Sequence, residues 1–135
     1  LYADHVVFHE GDAQFAPGIR LALVPGHTAG LQAAVCDTAR GPVVLASDAL
    51  HLYANLTRAN PFPIFIDEAA YRAAQARVLA LAGGSLDHII PGHDPLVLAA
   101  FPSDNDIARV DLPPLHVIAG LVASLAPSPS GEGVG

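Results

Sequence analysis

Short apolar runs separated by turn residues dominate the first half of the chain. The runs cover residues 6–8, 19–24, 31–36 and 43–46, and segments that contain Gly or Pro lie between most of them. Apolar runs of this length, bounded by turn residues, predict β-strands. The runs at 31–36 and 43–46 are almost continuously apolar, which predicts strands that are covered on both faces.

A helix is predicted in the second half, where the spacing of the apolar residues changes. Asp67 is a favourable N-cap, and Gly83-Gly84 is a stop signal. Between them, the apolar residues at helical spacing are Tyr71, Ala74, Val78 and Leu81. A further short segment, His88 followed by Ile89 and Ile90, predicts another strand. Strands followed by a helix and a strand predict a layered α/β domain.

The C-terminal end has a different composition. Residues 113–135 begin with a short apolar segment and end in a tail, residues 127–135, that is rich in Pro, Ser and Gly. A tail of this composition predicts disorder. We therefore expect residues 1–112 to form the folded domain and residues 113–135 to follow it.

Charge and composition exclude several classes of function. The 135 residues include 6 basic and 13 acidic side chains, for a net charge of −7. This balance argues against binding to nucleic acid or to an anionic membrane. Cys36 is the only cysteine, so no disulfide can form within the chain. No apolar stretch is long enough to span a bilayer and no signal peptide opens the chain, so we expect a cytoplasmic protein.

Three predicted strands run into turns that present a side chain able to bind a metal ion. These side chains are His27, Asp48 and His93, and both histidines follow an apolar-Pro-Gly sequence. A strand holds such a ligand rigidly, and Gly lets the backbone turn sharply beside an ion. Two imidazoles and a carboxylate suit zinc or a similar divalent ion. A carboxylate can also bridge two ions, as two-metal hydrolases require.

These motifs resemble those of the metallo-β-lactamase superfamily of zinc hydrolases, and most closely its N-acyl homoserine lactonase-like branch. The matching segments are residues 24–30, 45–49 and 90–95. The resemblance implies an α/β fold, a four-layer αββα sandwich with two zinc ions at one edge. It also implies that His27 ligates one ion, His93 ligates the other, and Asp48 bridges both.

The family takes its other metal ligands from an HxHxDH motif that precedes the first of these histidines. This chain contains no such motif. We therefore expect the chain to be the C-terminal half of the sandwich, to bind zinc weakly and to be inactive alone. Its hydrophobic fraction of 52% is high for so small a domain. This surplus predicts an apolar surface that packs on the absent N-terminal half or on a second copy of the chain.

The resemblance also implies a reaction, in which metal-activated hydroxide opens the lactone ring of an N-acyl homoserine lactone. In the lactonases a Tyr lies three residues after the bridging Asp, whereas here that position is His51 and the nearest Tyr is Tyr53. We predict Asp48, His51 and Tyr53 as catalytic residues, with His51 or Tyr53 donating a hydrogen bond to the substrate. Asp94, next to His93, is predicted to orient a metal ligand or to cap the following segment.

Two other functions stay open at this stage. A thioesterase of the hydroxyacylglutathione hydrolase kind has the same pattern of metal ligands, so the substrate is a small-molecule ester, lactone or thioester. A non-catalytic half-domain that pairs with another chain would also use the apolar surplus.

Overall fold

The computed structural model describes residues 5–124, which form a mixed α/β fold. One sheet contains the strands β1 (Ala13–Ala16), β2 (Ile19–Leu23), β3 (Gln32–Thr38), β4 (Gly41–Ser47) and β5 (Ile89–Pro91). The helices are α1 (Tyr53–Thr57), α2 (Glu68–Leu81), α3 (Leu96–Ala100) and α4 (Ile118–Ser124). A small hairpin of β6 (Ser103–Asp104) and β7 (Ile107–Ala108) lies between the last two helices. The predicted α/β class is confirmed.

The direction of the strands determines where the sheet can hold a site. β2 and β4 are both antiparallel to β3, and β5 pairs parallel with β4. β2, β4 and β5 therefore run in the same direction, and their C-terminal ends lie along one edge of the sheet. The three predicted metal-binding turns follow these three strands.

One face of the sheet packs on the helices. The buried residues on this face are Ala22, Ala33, Val35, Val44 and Ala46, and they join one core cluster with Ala74 and Val78 of α2 and with Ile118 and Val122 of α4. The opposite face is less covered, because Val43 is buried but Ala34 and Cys36 are only partly buried and Leu45 is 39% exposed. The prediction that β3 and β4 are covered on both faces is therefore wrong for the part of the chain that the structure describes.

Helix α2 confirms the helix that the apolar spacing predicts. The Asp67 side chain accepts a hydrogen bond from the backbone N–H of Ala70, 3.0 Å away, and so caps the N-terminus. Tyr71, Ala74 and Val78 are buried against the core side, whereas Leu81 is partly exposed. Gly83 and Gly84 follow the helix with positive φ angles of 65° and 81°, which end it.

The two ends of the chain differ from the sequence-based expectations. The strand predicted at residues 6–8 is wrong, because these residues lie outside any strand and Val7 and Phe8 are 87% and 93% exposed. The short apolar segment near the C-terminus contains α4. The predicted disorder of residues 127–135 concerns residues that lie outside the described range. Within that range, no helix is long and apolar enough to cross a membrane.

Candidate metal centre

Two glycines allow the turns after β2 and β5 to approach neighbouring backbone. Gly26 has a φ of +127°, and a Cβ atom there would lie 2.3 Å from N and Cα of Tyr71. A Cβ atom on Gly92 would lie 2.9 Å from the carbonyl carbon and oxygen of Ser47. Both distances are too short for a side chain, so only Gly lets these turns bring the following histidines close to Asp48.

The Asp48 carboxylate lies at the centre of the cluster. Its Oδ2 atom is 3.4 Å from Nε2 of His27, and its Oδ1 atom is 2.8 Å from Nε2 of His93. A third imidazole, that of His51, has its Nε2 atom 3.7 Å from Oδ1. The two carboxylate oxygens thus face different histidines. Such a division is what a carboxylate needs in order to bridge two ions.

Backbone contacts fix the orientation of His27. Its Nδ1 atom is 2.8 Å from the carbonyl oxygen of Ile64. Because a carbonyl oxygen only accepts hydrogen bonds, Nδ1 carries the proton. In the neutral imidazole the Nε2 lone pair therefore points towards Asp48, which is the form that a metal ligand requires.

His51 is the most buried histidine of the cluster, with 7% of its side chain exposed. Its Nδ1 atom is 3.0 Å from the hydroxyl oxygen of Tyr71. The ring of Phe62 stacks on the imidazole with a centroid separation of 4.1 Å, and the ring of His93 lies 5.2 Å from it. Burial lowers the pKa of His51, and the nearby Asp48 carboxylate opposes this shift only in part.

This lowered pKa makes the stability of the fold depend on pH. Below the ordinary His pKa of about 6.5, the unfolded chain binds a proton at His51 that the folded chain resists. We therefore expect the free energy of unfolding to fall as the pH falls, and to fall less in the His51→Gln variant. Urea unfolding of both proteins at about pH 7.5 and pH 5.5 measures the difference. Equal losses in the two proteins would contradict the expectation.

The structure does not bring Tyr53 to the cluster. Its side chain is fully buried and its hydroxyl donates a 2.6 Å hydrogen bond to the carbonyl of Ile89. Burial raises the pKa of the phenol well above its ordinary value, so the group stays protonated. This placement does not support the prediction that Tyr53 acts on a substrate.

Asp94 contacts backbone groups. Its Oδ2 atom accepts a hydrogen bond from the N–H of Tyr53 at 2.8 Å, and its Oδ1 atom accepts one from the N–H of Leu96 at 2.9 Å. These bonds connect the start of α1 to the start of α3. Of the two predicted roles for Asp94, its contacts fit the cap and not the orientation of a ligand.

The cluster opens onto a cleft of about 390 Å³. Its lining residues are His51, Leu52, Phe62, Ile64 and His93. Asp48, His51 and His93 each offer a ligand atom, and these atoms lie within 4.8 Å of one another. The cleft thus combines a polar cluster with apolar walls, as small-molecule sites commonly do.

Comparison with known proteins agrees with this picture. No family model matches the chain. Over 62 residues the chain is 40% identical to an N-acyl homoserine lactonase from a Bacillus species, and the match covers 45% of this chain and 25% of the relative. A solved structure of an N-acyl homoserine lactone hydrolase, with its product N-hexanoyl-L-homoserine bound at the catalytic metal centre, is 30% identical with a TM-score of 0.58. That match covers 64% of this chain and 35% of the other.

A variant of AiiA from B. thuringiensis, with N-decanoyl-L-homoserine at its active site, matches with the same identity, TM-score and coverage. The resemblance to the N-acyl homoserine lactonases is confirmed. The sheet and helices match the metallo-β-lactamase fold of these lactonases, consistent with one half of the sandwich. The chain spans a quarter of the length of the curated relative and about a third of the solved structures.

Sequence reasoning missed three residues around the cluster. Ile64 acts through its backbone carbonyl, which any residue type would supply. Phe62 lies in a loop with Pro61 and Pro63, whose sequence does not predict its contact with His51. Tyr71 is predicted only as one of the apolar positions of the helix. A Tyr hydroxyl at a core position is a signal that could have been followed, because a buried hydroxyl needs a hydrogen-bond partner.

Proposed function

We propose that this chain supplies His27, Asp48 and His93 to the metal site of a zinc-dependent hydrolase. In the complete protein, two zinc ions would be bound and the substrate would be an N-acyl homoserine lactone. The observation that carries the proposal is the division of the Asp48 oxygens between His27 and His93, at the ends of parallel-running strands. The lactonase relatives support the choice of substrate.

The donor set fits a divalent ion. In its neutral form His27 offers an Nε2 lone pair, because its proton is on Nδ1 and is donated to the Ile64 carbonyl. The side chain of Asp48 is 31% exposed and that of His93 is 64% exposed, so an ion can reach both. A bound ion would supply Lewis acidity, which activates a water for attack and polarises the carbonyl oxygen of the substrate.

The other residues of the cleft would bind and orient the substrate. In lactone hydrolysis the water oxygen joins the carbonyl carbon, the ring C–O bond breaks, and a proton goes to the departing alkoxide. His51 faces Asp48 from the wall of the cleft, and in this proposal it would donate a hydrogen bond to the substrate oxygen. Leu52, Phe62 and Ile64 give the cleft an apolar wall suited to an acyl chain.

Three protein ligands are too few for two ions, because a catalytic zinc commonly has about three protein ligands of its own. We propose that residues 1–112 form the C-terminal part of a metallo-β-lactamase-like domain and that an N-terminal half supplies the remaining ligands. That half, or a second copy of this chain, would cover the less buried face of the sheet around Leu45 and the exposed Val7 and Phe8.

A paired hydrolysis assay tests the proposed function. The reading frame upstream of Leu1 is first searched for an HxHxDH motif. The protein extended to include that motif is then assayed against an N-acyl homoserine lactone and a glutathione thioester. We expect lactone opening that a metal chelator abolishes and that zinc restores, with slower thioester hydrolysis. Faster thioester hydrolysis would favour the hydroxyacylglutathione hydrolase alternative. An upstream frame without HxHxDH, or hydrolysis of neither substrate, would favour a non-catalytic half-domain.

A further inference from the structure

We infer that Tyr71 holds the His51 imidazole with its proton on Nε2, so that His51 presents a hydrogen-bond donor to the cluster and is not a metal ligand. Tyr71 is then a positioning residue, acting from helix α2 through His51. The idea that this N–H group donates to a substrate rests on the proposed function. The position of the proton is independent of the proposed function, because it can be measured without any reaction.

The hydrogen bond between His51 and Tyr71 is shielded from water. The Tyr71 side chain is fully buried and only 7% of the His51 side chain is exposed. The Tyr71 hydroxyl oxygen and Nδ1 of His51 are 3.0 Å apart. The two residues lie 20 positions apart in the chain, on the loop after β4 and on α2. Because water cannot replace either partner, the direction of this hydrogen bond determines which imidazole nitrogen carries the proton.

That direction is not determined by Tyr71 alone. A hydroxyl can donate or accept, unlike the Ile64 carbonyl that fixes His27. If Tyr71 donates to Nδ1, the neutral His51 carries its proton on Nε2 and faces Asp48 with an N–H group. If Tyr71 accepts from Nδ1, the Nε2 lone pair faces Asp48 and His51 could ligate a metal ion.

Gln75 favours the first of these two directions. It lies one helical turn after Tyr71 and is 5% exposed. Its buried Nε2 atom has no hydrogen-bond partner among the residues that the structure describes. An unpaired buried N–H is costly, so it favours the nearby Tyr71 oxygen as its acceptor. Burial raises the pKa of the Tyr71 phenol, and Gln75 opposes this shift in part, as a donor to the phenol oxygen does.

When the Tyr71 oxygen accepts from Gln75, the buried Tyr71 hydrogen still needs an acceptor, and Nδ1 of His51 lies within hydrogen-bond distance at 3.0 Å. The resulting chain of donors runs from Gln75 to Tyr71 to His51 and ends on Nε2–H, 3.7 Å from Oδ1 of Asp48. By distance alone, His51 would count as a metal ligand, because its ligand atom and those of Asp48 and His93 lie within 4.8 Å of one another. The hydrogen-bond directions separate His51 from His27, because the neutral His27 ring carries its proton on Nδ1 and leaves Nε2 without one.

Nitrogen NMR of the histidine side chains tests the inference on the zinc-free 135-residue chain. Spectra are recorded at about pH 8, above the ordinary pKa of histidine, and His51 is assigned from the signals that His51→Asn removes. We expect a protonated Nε2 and an unprotonated, hydrogen-bonded Nδ1 for His51, and the reverse for His27. A protonated Nδ1 on His51, or a mixture of both forms, would overturn the inference.

A pair of variants tests the part played by Tyr71. Tyr71→Phe keeps the ring and removes the hydroxyl, so we expect the His51 Nδ1 signal to move to the position of a nitrogen without a hydrogen bond, with the His27 signals unchanged. Phe65→Leu is the control, because Phe65 stacks on the Tyr71 ring at 5.8 Å without contributing a hydrogen bond to His51. An unchanged Nδ1 signal in Tyr71→Phe, or an equal shift in Phe65→Leu, would overturn the inference. If the NMR signals are as expected but the extended protein hydrolyses neither substrate, the proposed function is wrong and the inference about the His51 proton stands.

Discussion

We expect the Asp48→Asn variant to bind zinc more than about 100-fold more weakly. Removing a group that only hydrogen-bonds a metal ligand typically weakens binding about 10- to 100-fold, and replacing the ligand itself costs more. Asn has the shape of Asp but offers one carbonyl oxygen and an N–H₂ group that cannot bind a cation. The oxygen facing His27 and the oxygen facing His93 can no longer both act as ligands. Calorimetric zinc titration of the 135-residue chain measures the loss.

Asp94→Asn is the matched control for this variant. Asp94 is also a carboxylate in a turn beside β5, but it accepts hydrogen bonds from the backbone of Tyr53 and Leu96. We expect Asp94→Asn to lower the free energy of unfolding by about 1 kcal/mol and to leave zinc affinity nearly unchanged. Equal losses of zinc affinity in the two variants would show that the effect of Asp48 is not one of ligation.

Gly26→Ala has the largest expected effect on stability. The added Cβ atom would lie 2.3 Å from backbone atoms of Tyr71, and the φ of +127° is one that Ala rarely adopts. The carbonyl of Gly26 also accepts hydrogen bonds from the N–H groups of Ile66 and Asp67, which connect the His27 turn to the start of α2. We expect a loss of at least about 3 kcal/mol in the free energy of unfolding, measured by urea denaturation.

Gly84→Ala separates the clash from the backbone strain. Gly84 has a positive φ of 81° but no atom within 4 Å of an added Cβ. Its substitution is therefore expected to cost only about 1 kcal/mol, the cost of placing Ala in a left-handed conformation. If Gly26→Ala were no more destabilising than Gly84→Ala, the close approach of Tyr71 would not be important for the fold.

Local signals in the sequence were sufficient for the elements that carry the site. The apolar runs before His27, Asp48 and His93 predict β2, β4 and β5, and Asp67 predicts the start of α2. The repeated turn chemistry indicated that these three side chains share a role, and the resemblance to the metallo-β-lactamase superfamily implied that they form one site. The structure adds the reason, which is that the three strands run in one direction and end at one edge.

Features that depend on packing across the fold could not be predicted in this way. Tyr53 and His51 are two residues apart, yet Tyr53 points into the core towards Ile89 and His51 contacts Tyr71 on α2. Tyr53 is the first residue of the short helix α1, for which the sequence has no clear signal. The sequence therefore could not show whether Tyr53 or His51 faces the cluster. The prediction that β3 and β4 are covered on both faces was wrong for a similar reason, because an apolar run does not show what packs on its second face.

Anomalous diffraction from crystals of the 135-residue chain grown with zinc tests the central claim most directly. Data collected on both sides of the zinc absorption edge locate the ions without reference to activity. The account predicts zinc between Asp48 and the Nε2 atoms of His27 and His93, with His51 outside the ligand set. Zinc bound only at the exposed His5 and His9 near the N-terminus, or at no site that includes Asp48, would contradict it.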